Sequence, residues 1–141
     1  MSFRWLAALV VCCGTSCAVN STTHADVANA EILYIPLPIT TYTAVTVDNI
    51  DTEGSCVLEA DAEAFQWLTH LAPGTARDFD GQNVRAEIRL GTTAVYVDSN
   101  GIVLTPRGQS GLSANEKSAL VASLESLRKA SSCNRYDWLD K

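Results

Sequence analysis

The stretch that decides the fold is residues 83–90, NVRAEIRL. Apolar side chains occupy every second position, and the charged side chains of Arg85, Glu87 and Arg89 stand between them. This period of two is typical of a strand in an antiparallel sheet with one buried and one solvated face. We therefore place a strand here and expect its apolar face to lie at the centre of the core.

Two further strands follow this stretch. Gly91-Thr92 can turn the chain into residues 93–98, TAVYVD, and Asn100-Gly101 is a strong hairpin-turn signal before residues 102–104. The pattern predicts a three-stranded antiparallel meander over about residues 83–105.

The chain upstream of the meander also favours extended structure, because it is rich in Ile, Val, Tyr and Thr. Pro36 and Pro38 interrupt residues 31–38, so we expect an edge strand or an extended arm there. Residues 41–47, TYTAVTV, read as a better strand, and a short extended piece at 55–59 carries Cys56.

Two helices complete the predicted fold. Asp61 can cap a helix over about 61–72, and Ser113 with Glu116 fits a capping box that begins a second helix over about 113–130. Apolar residues recur in both at three- and four-residue spacing. The predicted fold class is α+β, a small antiparallel sheet with both helices packed on one face.

The first twenty-five residues have the layout of a secretory signal. Arg4 is followed by a short apolar run at 6–13, and small side chains at Thr23 and Ala25 suit cleavage. The run is too short to remain as a membrane span. We expect a secreted or periplasmic protein with a single domain over 26–133, a C-terminal tail at 134–141 and no transmembrane segment in the mature chain.

A lipoprotein is the alternative form of export. The sequence Gly14-Thr15-Ser16-Cys17 resembles a lipoprotein cleavage site, although a bulkier residue such as Leu is usual where Gly14 stands. Lipidation at Cys17 would anchor the protein to a membrane.

Only two cysteines, Cys56 and Cys133, remain once the signal region is removed. An even pair in an exported chain predicts one disulfide. Because the closed loop is long, the chain-entropy model assigns the bond about 4 kcal/mol of stabilisation.

The charge of the chain limits its partners. Without Arg4, the mature chain has nine basic and sixteen acidic residues and a net charge of −7. It has no basic stripe for nucleic acid and would be repelled by anionic membranes. A cationic protein partner would be electrostatically steered towards it, although acidity also serves solubility.

Groups for catalysis or metal binding are scarce in the mature sequence. His70 is its one histidine, and no nucleophile motif surrounds it. The stretches Asp78-Phe79-Asp80-Gly81 and Asp98-Ser99-Asn100-Gly101 lack the Gly and Glu spacing of a calcium loop. One histidine with two paired cysteines cannot build a usual zinc site. We predict no metal and no cofactor.

Large aromatics and one arginine are the candidates for an interface, because such side chains often anchor protein contacts. Ordinary core packing is the alternative for the first two, and a loose terminus for the last two. The candidates are Trp67, Tyr96, Arg107, Tyr136 and Trp138.

These observations favour a binding protein over an enzyme. The predicted function is that of an exported, non-enzymatic protein-binding domain, such as an inhibitor, an immunity protein or an envelope accessory protein. The alternative is a small exported hydrolase that uses His70 or a pair of carboxylates.

Overall fold

The computed structural model describes residues 29–141, and six strands in it form one antiparallel sheet. The spatial order is β2-β1-β3-β4-β5-β6. The α+β class is confirmed, and the predicted meander is the β3–β5 part of the sheet, but the sheet is larger than the small sheet predicted around that meander. The strands are β1 (Asn29–Tyr34), β2 (Cys56–Asp61), β3 (Val84–Leu90), β4 (Thr93–Asp98), β5 (Ile102–Thr105) and β6 (Gly108–Gly111).

The first strand lies inside the sheet, where the sequence predicted an edge strand or an arm. β1 pairs with β2 on one side and with β3 on the other. It ends at Tyr34, before the two prolines, so the missing N–H groups of Pro36 and Pro38 do not interrupt either ladder.

The strand predicted over residues 41–47 is wrong. Val45 alone meets the sheet, where its C=O accepts a 2.8 Å hydrogen bond from the N–H of Val84. The other residues up to Thr46 are bent or irregular, and Val47 begins a turn beside which the N–H of Thr46 donates a 2.7 Å bond to Asn49 Oδ1. Such local side-chain bonds compete with a ladder and account for the turn.

The first predicted helix is the 3₁₀-helix η1 (Ala62–His70). Asp61 caps it as expected, since the N–H of Glu63 donates a 2.9 Å hydrogen bond to Asp61 Oδ1. Phe65 and Leu68 of η1 are buried in the core. η1 follows β2 without an intervening loop, which holds the helix beside the end of that strand.

The second helix, α1 (Ala114–Ala130), begins with the predicted capping box. The N–H of Glu116 donates to Ser113 Oγ at 3.3 Å, and the N–H of Ser113 donates to Glu116 Oε2 at 2.8 Å. Leu120, Leu124 and Arg128 form its buried stripe. Both helices contact β2, and within residues 29–141 no helix is long and apolar enough to cross a membrane.

The predicted disulfide is present between Cys56 and Cys133, with 5.7 Å between the Cα atoms. It joins the start of β2 to the segment after α1, 77 residues later in the chain. The bond therefore ties the C-terminal end of α1 to the strand beside it. The predicted signal at 1–25 and the lipidation site at Cys17 lie outside the described residues.

The C-terminal segment packs against the domain, although its sequence offers no clear place in the core. Tyr136 is 8% exposed, and its hydroxyl donates a 2.8 Å hydrogen bond to the C=O of Gly54. A short 3₁₀-helix, η2 (Asp137–Asp140), then places Asp140 2.9 Å from the guanidinium of Arg128. The segment thus closes over the buried arginine at the end of α1.

Candidate binding groove along β2 and α1

The two outer strands of the sheet differ in what covers them. β6 is flanked by Gly74, whose N–H donates to the C=O of Gln109 at 2.9 Å and whose C=O accepts from the N–H of Gly111 at 3.1 Å. Within residues 29–141, no segment pairs with the outer side of β2. β2 is therefore the open edge of the described sheet.

The ladder phase shows which backbone groups of β2 point outwards. Ile35 directly follows β1, and its N–H donates a 2.8 Å hydrogen bond to the C=O of Arg85 on β3. Because the bonding direction alternates along a strand, the backbone groups of Leu33 and Glu31 also face β3. The intervening residues of β1 face β2 and pair with Cys56, Leu58 and Ala60. Because successive residues of an antiparallel strand bond to opposite sides, the N–H and C=O groups at positions 57 and 59 point away from the sheet.

A groove runs along this open edge, between β2 and η1 on one side and α1 on the other; we call it the β2–α1 groove. It consists of three adjoining cavities of about 370, 470 and 210 Å³. Leu127 is common to the first two, and Phe65 to the second and third. From the Cys133 end, other lining residues are Val57, Glu59, Ala60, Asp61, Ala122, Ser126, Ser123, Ala119 and Trp67.

Small side chains on α1 leave the space for the groove. Ala119, Ala122, Ser123 and Ser126 recur at three- and four-residue spacing and are exposed, on a different side of α1 from the buried stripe. A helix with larger residues at these positions would fill the gap beside η1. At the Cys133 end of the groove the surface is apolar, because the side chain of Val57 is 60% exposed there.

Charged side chains form a row on the face of the sheet opposite the helices. Glu59 lies opposite Glu31 in the register, and Glu31 lies opposite Arg89. Arg89 forms ion pairs with Glu31 and, at 2.8 Å, with Glu87. Its hydrogen bonds to Glu87 and then to Glu31 raise the pKa of the Arg89 guanidinium further above its ordinary value.

The outer end of this row lacks a cation. Among the described residues, no Lys, Arg or His forms an ion pair with Glu59. Its neighbour across the ladder, Glu31, has the same charge. A cationic group beside Glu59 would form a cross-strand pair of opposite charge at the outer end of the row.

The predicted interface residues do not come together. Trp67 lines the β2–α1 groove. Tyr96 lies on the opposite face of the sheet, where burial and the nearby charge of Glu87 raise its pKa. Arg107 is exposed in the β5–β6 turn, Tyr136 belongs to the core, and Trp138 is 61% exposed. Only the first of the five is placed where it could contact a segment bound in the groove.

Sequence reasoning missed Val57, Glu59 and Leu127 as groove residues. Val57 carried a detectable signal, since an apolar residue on the charged face of a strand departs from the alternation. The repeat of Ala and Ser along α1 was a second signal. Neither reveals that β2 is an edge strand, because that depends on the pairing of all six strands.

The candidates for catalysis are dispersed in the structure. His70 is exposed at the end of η1 and lines none of the groove cavities. Of the carboxylates that line the groove, Asp61 and Glu116 take part in helix capping, and the bonds to Ser113 lower the pKa of Glu116. In residues 29–141, no three His, Cys, Asp or Glu side chains are grouped to hold a metal ion.

The Asp98-Ser99-Asn100-Gly101 stretch has a structural role. The buried Asp98 carboxylate accepts hydrogen bonds at 2.8 Å from the backbone N–H groups of Asp80, Asn100 and Ile102. Gly101 adopts φ +83°, which few other residues would tolerate in this turn. The aspartate thus joins the β4–β5 turn to the loop before β3.

No protein-family model matches the chain, and neither a curated protein nor a solved structure is significantly similar to it.

Proposed function

We propose that this chain is a non-enzymatic protein-binding domain that takes a segment of another protein into the β2–α1 groove. The observation that carries the proposal is the open edge of β2 with a groove beside it. Exposed strand edges are ready sites for pairing with another chain, and natural proteins usually protect them. Here the helices stand back from the edge and leave a groove instead.

The shape of the groove suits a peptide segment. It follows the six residues of β2 and continues along α1 to Trp67. A strand of that length spans roughly 20 Å, which is the usual length of a strand in a sheet. Its walls combine apolar side chains with the polar atoms of serines and backbone, as in recognition sites for extended peptides.

The setting of this function is outside the cytoplasm, as residues 1–25 indicate by their signal-like layout. A lipid anchor at Cys17 is the alternative form of export. The net charge of the chain favours a cationic partner. The roles proposed for such a binding domain are those of an inhibitor, an immunity protein or an envelope accessory protein. The hydrolase alternative gains no support from the groove, since His70 lies outside it.

The test is to fill the groove with a large side chain. Ala122→Trp would occupy the middle cavity, and Ser118→Trp is the matched control because Ser118 is an exposed small residue of α1 that lines none of the groove cavities. Both variants are used as bait against the envelope and culture-medium proteins of the native organism. We expect a partner that binds the wild type and Ser118→Trp but not Ala122→Trp. A partner held equally by all three would contradict the proposed site.

A further inference from the structure

The open edge of β2 offers backbone hydrogen bonds as well as a groove. By the ladder phase, the N–H and C=O groups of Val57 and Glu59 point away from β1, and no strand or bridge within the described residues pairs with that side. The cavity at the Cys133 end of the groove is lined by the same two residues. An extended segment laid along this edge would satisfy four backbone groups at once, which is how β-strand addition gains affinity.

The two faces of an added strand would meet different surroundings. Side chains on the helix side would enter the part of the groove lined by Ala64, Phe65 and Leu127, which is mainly apolar. Side chains on the other side would lie beside Val57 and Glu59. Because side chains alternate along a strand, adjacent residues of the bound segment face these two environments in turn.

The charge row specifies one position of the bound segment. Directly opposite Glu59, the added residue would stand at the outer end of the row formed by Glu59, Glu31 and Arg89. An acid there would face two carboxylates, whereas a Lys or Arg would form a cross-strand pair of opposite charge. The net charge of the chain favours approach of the same kind of partner.

A second copy of the chain fits this edge poorly. In the antiparallel register that pairs residues 57–61 with their counterparts, Glu59 would lie opposite Glu59 of the other copy, and Asp61 opposite Val57. Like charges directly opposite each other destabilise a ladder. The edge therefore favours a basic segment of a different protein.

We infer that the partner binds as an extended segment added to the edge of β2, with a Lys or Arg opposite Glu59 and with apolar residues opposite Val57 and in the groove. This inference rests on the proposed function, and it adds the mode of binding and the chemistry of the bound segment. For a segment that runs antiparallel to β2, the recognition signature is a cation opposite Glu59 followed by two apolar residues, the first in the groove and the second opposite Val57.

The experiment begins with selection of peptides from a displayed library of short linear sequences on the purified, disulfide-bonded protein. A selected peptide is then measured against Val57→Pro and Val57→Thr. The proline removes the outward N–H of position 57 and leaves the ladder to β1 intact, whereas the threonine keeps that N–H and the branched shape. We expect the proline variant to bind about tenfold more weakly and the threonine variant to bind as the wild type does.

The second arm reverses the charge at the specified position. Glu59→Lys should weaken binding of the selected peptide, and a peptide with Glu in place of its cation should recover it. Glu63→Lys is the control, because Glu63 is an exposed acid of η1 that lines none of the groove cavities. This arm decides the question if circular dichroism shows that Val57→Pro is unfolded.

The outcomes separate the two proposals. Binding that is lost in Ala122→Trp but unaffected by Val57→Pro and Glu59→Lys overturns strand addition and leaves the groove function standing. Binding that is unaffected by all of these variants overturns both. A dimer that forms through β2 and is lost in Val57→Pro would overturn the inference in favour of a second copy.

Discussion

The hydroxyl of Tyr34 donates a 2.7 Å hydrogen bond to Glu125 Oε1, which ties β1 to the middle of α1. The second oxygen of Glu125 accepts a 2.8 Å bond from Nε of the buried Arg128. α1 is thus fixed to the sheet by a polar network as well as by its leucines. Since α1 forms one wall of the β2–α1 groove, this network ties that wall to the sheet.

Loss of the Tyr34 hydroxyl should destabilise the domain. Tyr34→Phe removes a hydrogen bond to a charged acceptor at a fully buried ring, and we expect a loss of about 1–2 kcal/mol in the free energy of unfolding. The measurement is urea denaturation at neutral pH. Tyr42→Phe is the control, since Tyr42 is fully exposed and should lose nothing. Equal stabilities for the two variants would show that the bond has no net effect.

The same pair predicts a dependence of stability on alkaline pH. Burial, and then the bond to Glu125, raises the pKa of Tyr34 well above its ordinary value. The unfolded chain therefore loses this proton above about pH 10 while the folded protein keeps it. The stabilisation from Tyr34 is complete below that pH and declines above it. The difference in free energy of unfolding between the wild type and Tyr34→Phe should therefore become smaller as the pH rises. A constant gap would contradict this assignment.

The C-terminal segment should contribute to stability through Asp140. This carboxylate accepts two hydrogen bonds from Arg128, whose side chain is 1% exposed. Asp140→Ala should lower the urea midpoint more than Asp137→Ala does, because Asp137 lies 4.0 Å from the guanidinium and is more exposed. Bonds to Lys129 and then to Arg128 lower the pKa of Asp140. Its contribution is therefore present above about pH 4 and is lost as pH falls further, so the wild type and Asp140→Ala should converge in acid.

Removal of the disulfide should be costly. The Cys56→Ser, Cys133→Ser double variant frees a loop of 77 residues, and the chain-entropy model predicts a loss of about 4 kcal/mol. The reduced wild type, measured with reductant present, is the matched comparison and should resemble the double variant. Two freely alkylated thiols in the native protein would contradict the bond.

His70→Ala should leave partner binding unchanged, because His70 is exposed and lies outside the groove. The variant is compared with the wild type at equal folded fraction. A loss of activity of about a thousandfold at unchanged stability would instead support the hydrolase alternative.

The sequence predicted the elements with strong local signals. The strand at β3, the Asn100-Gly101 turn and the Ser113 capping box each depend on neighbouring residues, and all three are present. The solvated face predicted for β3 is wrong in part, because Arg85 and Glu87 are buried, at 3% and 6% exposure, and Arg89 alone of the three is exposed. Residues 41–47 failed because composition favours a strand there while the side chain of Asn49 stabilises a turn.

The candidate site was harder to predict because it depends on long-range pairing. Nothing in CVLEAD identifies β2 as an edge strand, since that follows from its pairing with β1 alone. Trp67 was identified as a candidate from its residue type alone. Its place in the groove beside α1 could not be predicted, because it depends on how η1 and α1 pack together. The charge row joins three strands that are far apart in the chain, so no local pattern could show it.

The most direct test of the account is amide hydrogen exchange at Val57 and Glu59, followed by NMR with and without a saturating selected peptide. We predict fast exchange at both positions in the free protein and strong protection in the complex, with the amide of Leu58, which bonds to β1, protected in both states. Protection at Val57 and Glu59 in the free protein, or exchange that the bound peptide leaves unchanged, would contradict an open edge that binds a partner strand.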